Sequence, residues 1–519
     1  MNRKLVIILS VSISLVVVST TLFTSLYFVL WRNRGEEETG FHVYLTDISP
    51  ADMGTEERLE DFNYLFNIIK ENYPFLSIKE RRLGYNWLDL KSEFEDRISN
   101  AVDNQEFLTI LFDILQALQN LHTHLVYPGD ISLYRDFFNS VDLYPYNETF
   151  SEEIEFANAY WISRYWTSRN LKHGRSFEVL MTYVNGEYLL VDGYGDWVEN
   201  YGNGSKVLAV DSVPIDDAIE NAYIEDYLDW DFIRNKPHCW YITPQTFRPE
   251  AVFTIRNTTG HEKDVTFSYG SYVYANPLSY PVERLYTELL KDETIGYVYL
   301  QSFFNDYIEI DYPELVEFYD EIENCTHLII DIRGNGGGNT YYSLNNIIFP
   351  LAKERLNYKS YMAFRTGDYV QYFREAIGVS AWANKSLIGN LPSEVQTDDF
   401  DLYNTTYYTN PQATTDFDGE IILLTDGFVY SAAESFASFC KHSGFATLYG
   451  STTGGDGIGI TPMYYVLPNS KLVIRISCAM GLDETGQANE EVRTQPHFVY
   501  ESAYGNWSEL IDYACNNLP

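Results

Sequence analysis

The longest uninterrupted apolar segment of the chain lies near its amino-terminal end. Residues 5–31 carry no charged side chain and consist mainly of Leu, Val, Ile and Phe. A helix needs about 20 apolar residues to cross the hydrocarbon core of a bilayer, whereas the apolar region of a cleavable signal peptide has about 7 to 15. The segment therefore predicts an uncleaved transmembrane anchor within residues 1–34, followed by an acidic linker over residues 35–55.

Apolar residues recur at spacings of three and four in the next segment, which is the periodicity of an amphipathic helix. The positions that carry this pattern are Leu59, Phe62, Leu65, Phe66, Ile69, Phe107, Leu111, Ile114 and Leu118. They predict a helical domain over residues 56–130. The apolar pattern gives way to a polar stretch at residues 120–124.

Short alternating or β-branched runs follow, for example at residues 187–191 and 252–255, separated by Gly, Asn and Asp. This pattern is typical of strands joined by turns and predicts a β-rich middle domain over residues 131–288. The stretch around residues 185–225 resembles the second half of a PDZ module. An unrelated strand, turn and helix is the alternative for this stretch.

From residue 289 to the carboxyl terminus, apolar strands alternate with helical stretches. Such alternation predicts an α/β domain built from βαβ units around a buried sheet. Functional groups of such domains lie at the carboxyl ends of the strands. We therefore expect the chemistry of this protein in residues 289–519.

The formal net charge of -39 arises from 74 Asp and Glu against 35 Lys and Arg. Such a surface repels phosphate backbones, so nucleic acid is not an expected partner. The five cysteines lie far apart without a Cys-x-x-Cys pair, and allow at most two disulfides. His122 and His124 have no third ligand nearby in sequence and no His-Glu-x-x-His motif occurs, so neither a metal ion nor another cofactor is expected.

Seven Asn-x-Ser/Thr sequences indicate that the part of the chain after the predicted anchor, called the body below, lies on the outer side of the membrane. Such sites accept glycans there. They begin at Asn147, Asn203, Asn257, Asn324, Asn384, Asn404 and Asn506. Basic residues flank the apolar segment on both sides, so charge alone does not fix its orientation.

A glycine-rich segment directly follows a predicted buried strand. Residues 327–332 form the apolar strand, and Arg333–Asn339 contains three consecutive glycines. Glycines allow close approach of the backbone to a ligand and can direct N–H groups at it, as an oxyanion hole requires. A phosphate-binding loop is the alternative, but the Gly-Lys-Ser/Thr that would complete one is absent.

Ser431 lies where a second predicted strand meets a helix. The strand covers residues 421–424, and Ser431-Ala-Ala-Glu434 begins the apolar helix. The positive end of a helix dipole and its free N–H groups stabilise negative charge at such a junction. A Ser-x-x-Glu sequence is also the ordinary capping box, so a purely structural role for Ser431 is the alternative.

These motifs occur in an order that resembles the tail-specific, or C-terminal processing, serine peptidase family. That family ends a strand with Asp-x-Arg-x-Asn-x-Gly-Gly, matched by Asp331–Gly338, and takes its nucleophile from a Ser-Ala-x-Glu signature, matched by Ser431–Glu434. The resemblance covers residues 290–500. It implies a crossover α/β catalytic domain of the ClpP/crotonase-like type, an unfolded or C-terminal polypeptide segment as substrate, and Ser431 as nucleophile.

The resemblance also implies an oxyanion hole formed by the N–H groups of Ala432 and of Gly336 or Gly337. One position departs from the Ser/Lys branch of the family. Where that branch has its lysine base, this chain has Asp456, between two glycines. An aspartate cannot act as a desolvated lysine does, so a Ser/Lys dyad is rejected.

The tricorn-like branch of the family takes its base from a His in the amino-terminal helical domain. Its Leu-x-x-x-His-Thr pattern is matched by Leu118–Thr123, which assigns the base to His122 and leaves His124 as the less favoured choice. A Glu shortly before a terminal Pro orients that base. Glu490 matches this position, with Glu491 as the less favoured choice.

The sequence as a whole thus predicts a membrane-anchored serine endopeptidase with an extracytoplasmic body. Two alternatives stay open. One is a non-catalytic ligand-binding protein on the same fold, and the other is an esterase-like serine hydrolase that uses the same nucleophile.

Overall fold

A computed structural model describes residues 43–519 of the chain, apart from short segments. The segments not described are residues 142–145, 174–175, 178, 192–201, 244–245, 248–249, 268, 271–280, 282, 406, 410–413 and 503–505. The predicted anchor lies outside the described residues and stays a prediction. No helix within the described part of the chain is both long and apolar enough to cross a bilayer.

The first part of the described chain is helical. Its helices are α1 (Thr55–Asn72), α2 (Leu76–Leu83), α3 (Lys91–Asn100), α4 (Asn104–Gln116), α5 (Ile131–Val141), α6 (Tyr146–Thr149), α7 (Glu152–Asn158) and α8 (Ile162–His173), with strand β1 (His124–Leu125) between α4 and α5. The periodic apolar residues of α1 and α4 are buried, as the pattern requires, except for Leu59, which is half-buried. The helical region extends to His173, past the predicted boundary at residue 130. Ile154 of α7 and Trp161, just before α8, are fully buried, and Nε1 of Trp161 donates to the carbonyl oxygen of Ser470 at 2.8 Å.

A β-rich region follows, as predicted. It contains β2 (Ser176–Phe177), β3 (Leu180–Val184), β4 (Glu187–Val191), β5 (Lys206–Val210), β6 (Val213–Pro214), α9 (Ile215–Glu220), β7 (Asp229–Asp231), β8 (Lys236–His238), β9 (Tyr241–Ile242), β10 (Phe253–Arg256), β11 (Glu262–Val265) and β12 (Tyr269–Gly270). Six of these strands pair in the order β11-β10-β5-β4-β3-β9, and β6 pairs with β5. The apolar faces of the sheet and of α9 share one core. The PDZ-like identity of this region stays a hypothesis.

The carboxyl-terminal region is built around a six-stranded sheet. Its strands are β13 (Leu285–Leu290), β14 (Ile295–Leu300), β15 (His327–Asp331), β20 (Glu420–Thr425), β21 (Thr447–Gly450) and β25 (Phe498–Val499). They pair in the order β13-β14-β15-β20-β21-β25, and every pair except β13 with β14 is parallel. The middle strands are buried on both faces because separate apolar clusters cover the two sides of the sheet. The predicted α/β arrangement is thereby confirmed, whereas its ClpP/crotonase-like crossover stays a prediction.

Other elements surround this sheet. They are α10 (Tyr307–Glu321), α11 (Thr340–Ser343), α12 (Phe349–Leu351), β16 (Leu356–Tyr358), β17 (Tyr361–Arg365), α13 (Asp368–Ala376), β18 (Phe400–Asn404), β19 (Tyr407–Thr409), α14 (Ala432–Ser443), β22 (Met463–Val466), β23 (Val473–Ile476), β24 (Met480–Leu482), α15 (Asn489–Val492) and α16 (Ser508–Asn516). Strand β1 pairs with β23, which pairs with β22. This small sheet joins the helical region directly to the α/β region.

All five cysteines lie in the described part of the chain. Each is buried, and none forms a disulfide.

Candidate active site

Ser431 occupies a sharp turn between β20 and α14. Its backbone has φ 57° and ψ -123°, a left-handed conformation that is strained for any residue with a side chain. Its hydroxyl makes no capping hydrogen bond to the helix. The capping alternative for Ser431 is therefore wrong, and the turn instead presents the hydroxyl to a neighbouring side chain.

That neighbour is His122. Its Nε2 lies 2.9 Å from Oγ of Ser431, although 309 positions separate the two residues. The backbone N–H of His122 donates to Oδ1 of Asn120, which fixes the turn that precedes β1. Pairing of β1 with β23 holds this turn against the α/β region. The structure therefore brings together the two residues that the sequence matched to nucleophile and base.

Asp456 lies on the other side of the imidazole. Its Oδ2 is 2.8 Å from Nδ1 of His122 and accepts hydrogen bonds from Nδ2 of Asn120 and Oγ of Ser477, each at 2.9 Å. Burial on its own raises the pKa of the Asp456 carboxyl. The charge of His122 and the hydrogen bonds from His122, Asn120 and Ser477 outweigh burial and hold that pKa below its usual value. Asp456 is therefore a buried carboxylate in contact with the imidazole.

Glu490 does not occupy the position predicted for it. Its Oε1 pairs with Nζ of Lys79 at 2.5 Å, and its buried Oε2 has no hydrogen-bond partner. Nδ1 of His122 is already bonded to Asp456, so the predicted contact between Glu490 and His122 is not formed. Glu491, the less favoured choice, pairs with Arg81 at 2.7 Å. The structure thus places Asp456, and neither Glu490 nor Glu491, in contact with the imidazole.

His124 is also engaged elsewhere. Its Nδ1 lies 3.0 Å from the carbonyl oxygen of Leu125, and its Nε2 lies 3.1 Å from Nη1 of Arg475. Burial, together with the neighbouring charge of Arg475, lowers the pKa of His124 to about 4. Because both ring nitrogens of His124 have partners away from Ser431, His122 is the histidine that this geometry makes available as a base.

The glycine-rich segment lies against Ser431. A side chain at Gly337 would place its Cβ 2.7 Å from the nitrogen of Ala432 and 2.8 Å from Cβ of Ser431. The N–H of Gly337 itself donates to Oδ1 of Asn335 at 2.9 Å, so Gly337 is not a free donor. Within the described residues, the N–H groups of Gly336 and Ala432 have no hydrogen-bond acceptor. These two groups are the donors that remain for an oxyanion.

The rest of the Asp-x-Arg-x-Asn motif holds the glycine segment in place. Asp331, at the end of β15, forms a buried ion pair with Arg333 at 2.6 Å. Asn335 is fully buried, and its Nδ2 donates to the carbonyl oxygen of Leu300. These contacts fix the end of β15. Asp331, Arg333 and Asn335 therefore hold the backbone of the glycine segment in place.

The last residue of the Ser-Ala-Ala-Glu signature, Glu434, is fully buried behind the nucleophile. Its Oε1 accepts hydrogen bonds from Nδ2 of Asn489 at 2.5 Å and from Oγ1 of Thr494 at 2.7 Å. Oδ1 of Asn489 in turn accepts from the backbone N–H of Gly457, the residue after Asp456. Burial raises the pKa of Glu434 to about 7. Glu434 thereby connects α14 to the loop that carries Asp456.

Ser431 and His122 open into a cleft of about 670 Å³. The walls include Gly336 from the glycine segment, and Trp240 and Tyr241 from the β-rich region. Two walls thus come from different regions of the chain, and the cleft is large enough for a few residues of an extended peptide. The described residues contain no group of three or more His, Cys, Asp or Glu side chains that could hold a metal ion.

A family model matches the carboxyl-terminal region of the chain. Residues 294–500 match the model of peptidase family S41, a region that includes Ser431 and Asp456 but not His122. No curated protein matches the chain at a significant level.

The solved structures of mature CPAF with lactacystin and of mature CPAF alone are similar to this chain, both at 14% identity, with TM-scores of 0.53 and 0.52. The alignment with the first covers 89% of this chain and 97% of that chain, and with the second 88% and 96%. The photosystem II D1 C-terminal processing protease matches at 12% identity and a TM-score of 0.39, over 86% of this chain and 94% of that chain.

The two CPAF structures show that the fold is shared. The protein is a hydrolase of the peptidase class. The match to the S41 model over residues 294–500 supports a serine peptidase.

Proposed function

We propose that the protein is a serine endopeptidase in which Ser431 attacks the peptide carbonyl, His122 moves the proton and Asp456 orients His122. The observation that carries the proposal is the continuous contact from Oγ of Ser431 to Nε2 of His122 and from Nδ1 of His122 to Oδ2 of Asp456. Both distances lie within the range for hydrogen bonds between a nucleophile, its base and the group that orients the base.

The direction of proton movement follows from the two contacts. A carboxylate accepts but does not donate, so Asp456 selects the imidazole tautomer that has its proton on Nδ1. Nε2 is then free to take the proton of the Ser431 hydroxyl as the oxygen bonds to the substrate carbonyl carbon. The resulting imidazolium lies against a carboxylate that is ionised, which stabilises it.

The negative charge that develops on the substrate oxygen requires donors at a fixed place. Among the described residues, the N–H groups of Ala432, at the start of α14, and of Gly336 have no acceptor, and both belong to segments in contact with Ser431. Preorganised donors of this kind supply a large part of the rate enhancement in acyl transfer. His122 then returns its proton to the leaving amine, and water releases the acyl group from Ser431 by the same steps in reverse order.

Labelling with a fluorophosphonate tests the proposal, because the reagent reacts with activated serine hydroxyls. We expect the full chain to be labelled, Ser431→Ala not to be labelled, and His122→Ala to be labelled at least about a hundredfold more slowly. Ser443→Ala, at the other end of α14, and His261→Ala, at an exposed position in the β-rich region, are the matched controls and keep full labelling.

Absence of labelling in folded wild type, or full labelling of Ser431→Ala, contradicts the proposal and favours the ligand-binding alternative. Cleavage of an unfolded protein, followed by gel electrophoresis, separates a peptidase from an esterase-like hydrolase. An esterase hydrolyses a chromogenic ester and leaves the unfolded protein intact, and this result would replace the peptidase assignment.

We also propose that residues 5–31 anchor the peptidase to a membrane with its body on the outer side. The support is the uncharged apolar sequence together with the Asn-x-Ser/Thr sites of the body. Digestion of intact cells with an external protease tests the orientation. Loss of the body under conditions that preserve cytoplasmic markers is the expected result, and full protection of the body contradicts it.

A further inference from the structure

Arg475 lines the catalytic cleft together with Ser431 and His122. Its Nη1 lies 3.1 Å from Nε2 of His124, and its buried Nε has no hydrogen-bond partner. No described residue forms an ion pair with it. Acidic residues outnumber basic residues 74 to 35 in this chain, so a guanidinium without an acidic partner in the cleft is unusual for its composition.

The two side chains opposite Arg475 in its sheet do not neutralise it. His124 on β1 and Tyr464 on β22 are its cross-strand partners, and directly opposite residues share one face of a sheet. His124 is a neutral acceptor at neutral pH because burial and the charge of Arg475 lower its pKa to about 4. Burial raises the pKa of Tyr464, so its hydroxyl is also neutral. The positive charge of Arg475 therefore stays available to a ligand.

The position of Arg475 is fixed relative to the catalytic side chains. It lies on β23, and Ser477, two residues further along the chain, donates its hydroxyl to Asp456. The backbone N–H of Ser477 also donates to Oγ1 of Thr123, next to His122. One short segment thus supports the contact to His122 and presents the guanidinium, so a group bound to Arg475 has a defined distance from Ser431.

The acidic side chains that line the cleft come from the β-rich region and have other partners. Asp229 forms an ion pair with Arg493. Asp226 accepts hydrogen bonds from Oγ1 of Thr246 and from the backbone N–H of Tyr227. These carboxylates have partners in their own surroundings, whereas Arg475 contacts the neutral His124 and has no acidic partner among the described residues.

We propose that Arg475 binds a carboxylate of the polypeptide substrate and makes the protein selective for such substrates. Guanidinium groups bind carboxylates through short, charge-assisted hydrogen bonds, and a buried N–H without an acceptor favours the arrival of one. The carboxylate belongs either to an Asp or Glu side chain or to the C-terminus of the substrate. The selection of substrates by Arg475 rests on the proposed function, whereas carboxylate binding can be measured without turnover.

Binding to the full chain carrying Ser431→Ala tests the proposal, because this variant cannot consume its ligand. The probes are three libraries of acetylated decapeptides, randomised over uncharged residues. The first contains one Glu and ends in an amide, the second has Gln in place of the Glu, and the third has Gln and a free C-terminal carboxylate. Peptides retained on the immobilised protein are counted by mass spectrometry.

We expect the first or the third library to be enriched over the second by about tenfold or more, as for one charge-assisted contact. Enrichment of the first identifies a side-chain carboxylate as the ligand, and enrichment of the third identifies the C-terminus. Adding Arg475→Gln removes the enrichment. Adding Arg256→Gln, at an exposed position on β10, leaves it unchanged and is the matched control.

Equal retention of the three libraries, or enrichment that persists with Arg475→Gln, overturns the proposal. If Arg475→Gln does not fold, Arg475→Lys is the deciding variant. A lone ammonium lacks the planar fork of a guanidinium, so Arg475→Lys is expected to lose most of the enrichment, and unchanged enrichment overturns the proposal.

Fluorophosphonate labelling of the wild type separates this proposal from the proposed function. Labelled protein without carboxylate selectivity contradicts the role of Arg475 alone. Carboxylate selectivity without labelling preserves the binding role of Arg475 and contradicts the catalytic role of Ser431.

Discussion

Nδ1 of His122 lies 2.8 Å from Oδ2 of Asp456, a residue 334 positions further along the chain. This contact decides which carboxylate orients the imidazole. Glu490, the other buried acid nearby, is paired with Lys79 instead. The two acids therefore have different expected effects on activity, and substitutions can separate them.

Asp456→Asn is expected to slow fluorophosphonate labelling by about 10³- to 10⁴-fold, because an amide can donate to Nδ1 and favour the tautomer that has no lone pair on Nε2. Pseudo-first-order labelling rates measure the effect. Glu490→Gln is the matched control and is expected to change the rate less than about tenfold, since Glu490 does not contact His122. The reverse order of effects would restore Glu490 as the orienting residue.

Gly337→Ala is expected to slow labelling by about a hundredfold or more. The added Cβ would lie 2.6 Å from the carbonyl oxygen of Tyr430 and 2.7 Å from the nitrogen of Ala432, and the residue has φ +96°. The backbone around Ser431 must then move, and displacements of this kind cost about a hundredfold in rate. Gly389→Ala, where no atom lies within 4 Å of the added Cβ, is the control. Labelling of Gly337→Ala at the wild-type rate would show that the two segments are not in contact.

Ser431→Gly is expected to be more stable than Ser431→Ala by about 1 kcal/mol, because glycine adopts φ 57° without strain. Denaturant unfolding of both inactive variants measures the difference. Ser435, inside α14, provides the control: there glycine is expected to be less stable than alanine by about 1 kcal/mol. If the glycine variant were less stable than the alanine variant at position 431 as well as at position 435, the backbone of Ser431 would not be strained.

Lys79→Met is expected to lower the free energy of unfolding by about 3 to 5 kcal/mol, because it leaves the buried Glu490 carboxylate without its cation. Only 12% of the Lys79 side chain and 1% of the Glu490 side chain are exposed. Adding Glu490→Gln removes the unpaired charge, so the double variant is expected to regain part of the free energy of unfolding that Lys79→Met loses. A double variant as unstable as Lys79→Met alone would contradict this explanation.

Glu434→Gln is expected to change how stability depends on pH. Burial raises the Glu434 pKa to about 7 from 4.5, so the folded state keeps a proton that the unfolded state loses. The contribution of this proton to stability is complete below pH 4.5. It is lost as the pH rises to 7, by about 3 kcal/mol in all. Denaturant unfolding at pH 4.5 and pH 8 measures the loss, which Glu434→Gln removes.

The matched control for this change is Glu317→Gln, at an exposed position on α10. It is expected to leave the pH dependence of the wild type unchanged. If the free energy of unfolding of Glu434→Gln depended on pH as strongly as that of the wild type, the proton responsible would belong to another group.

The sequence predicted several parts of the site because they are local. The strand, turn and helix around Ser431 are encoded by consecutive residues, and so is the glycine-rich end of β15. The match to His122 came from a short pattern in the helical region, and the structure brings this histidine to Ser431. Each of these features has a signal within about ten residues of sequence.

Asp456 was missed because its position was judged only as a replacement for a lysine base. An aspartate cannot replace that lysine, but it can orient a histidine supplied by another region. The glycines on either side and the left-handed φ of 46° at Asp456 mark a tight loop, which is a local signal. Which side chain that loop faces depends on pairing between β1 and β23, and periodicity within one segment does not reveal such pairing.

The boundary of the helical region was placed too early for a related reason. Residues 131–173 combine aromatic and polar side chains, and their helical faces are recognisable once their partners are known. Phe138 and Phe150, for example, stack at 5.3 Å and both pack against Tyr464 of β22. The partner strand is more than 300 residues away, so the sequence near residue 138 gives no indication of it.

The separation of His122 from Ser431 along the chain also sets the order in which the active site is made. His122 is synthesised before Ser431, and 309 positions separate the two residues. Asp456 and Ser477 are added later still. An incomplete chain therefore contains the histidine with neither the serine nor the aspartate. The three side chains can meet only after Asp456 has been synthesised, so a shorter nascent chain lacks the contacts that the proposed mechanism requires.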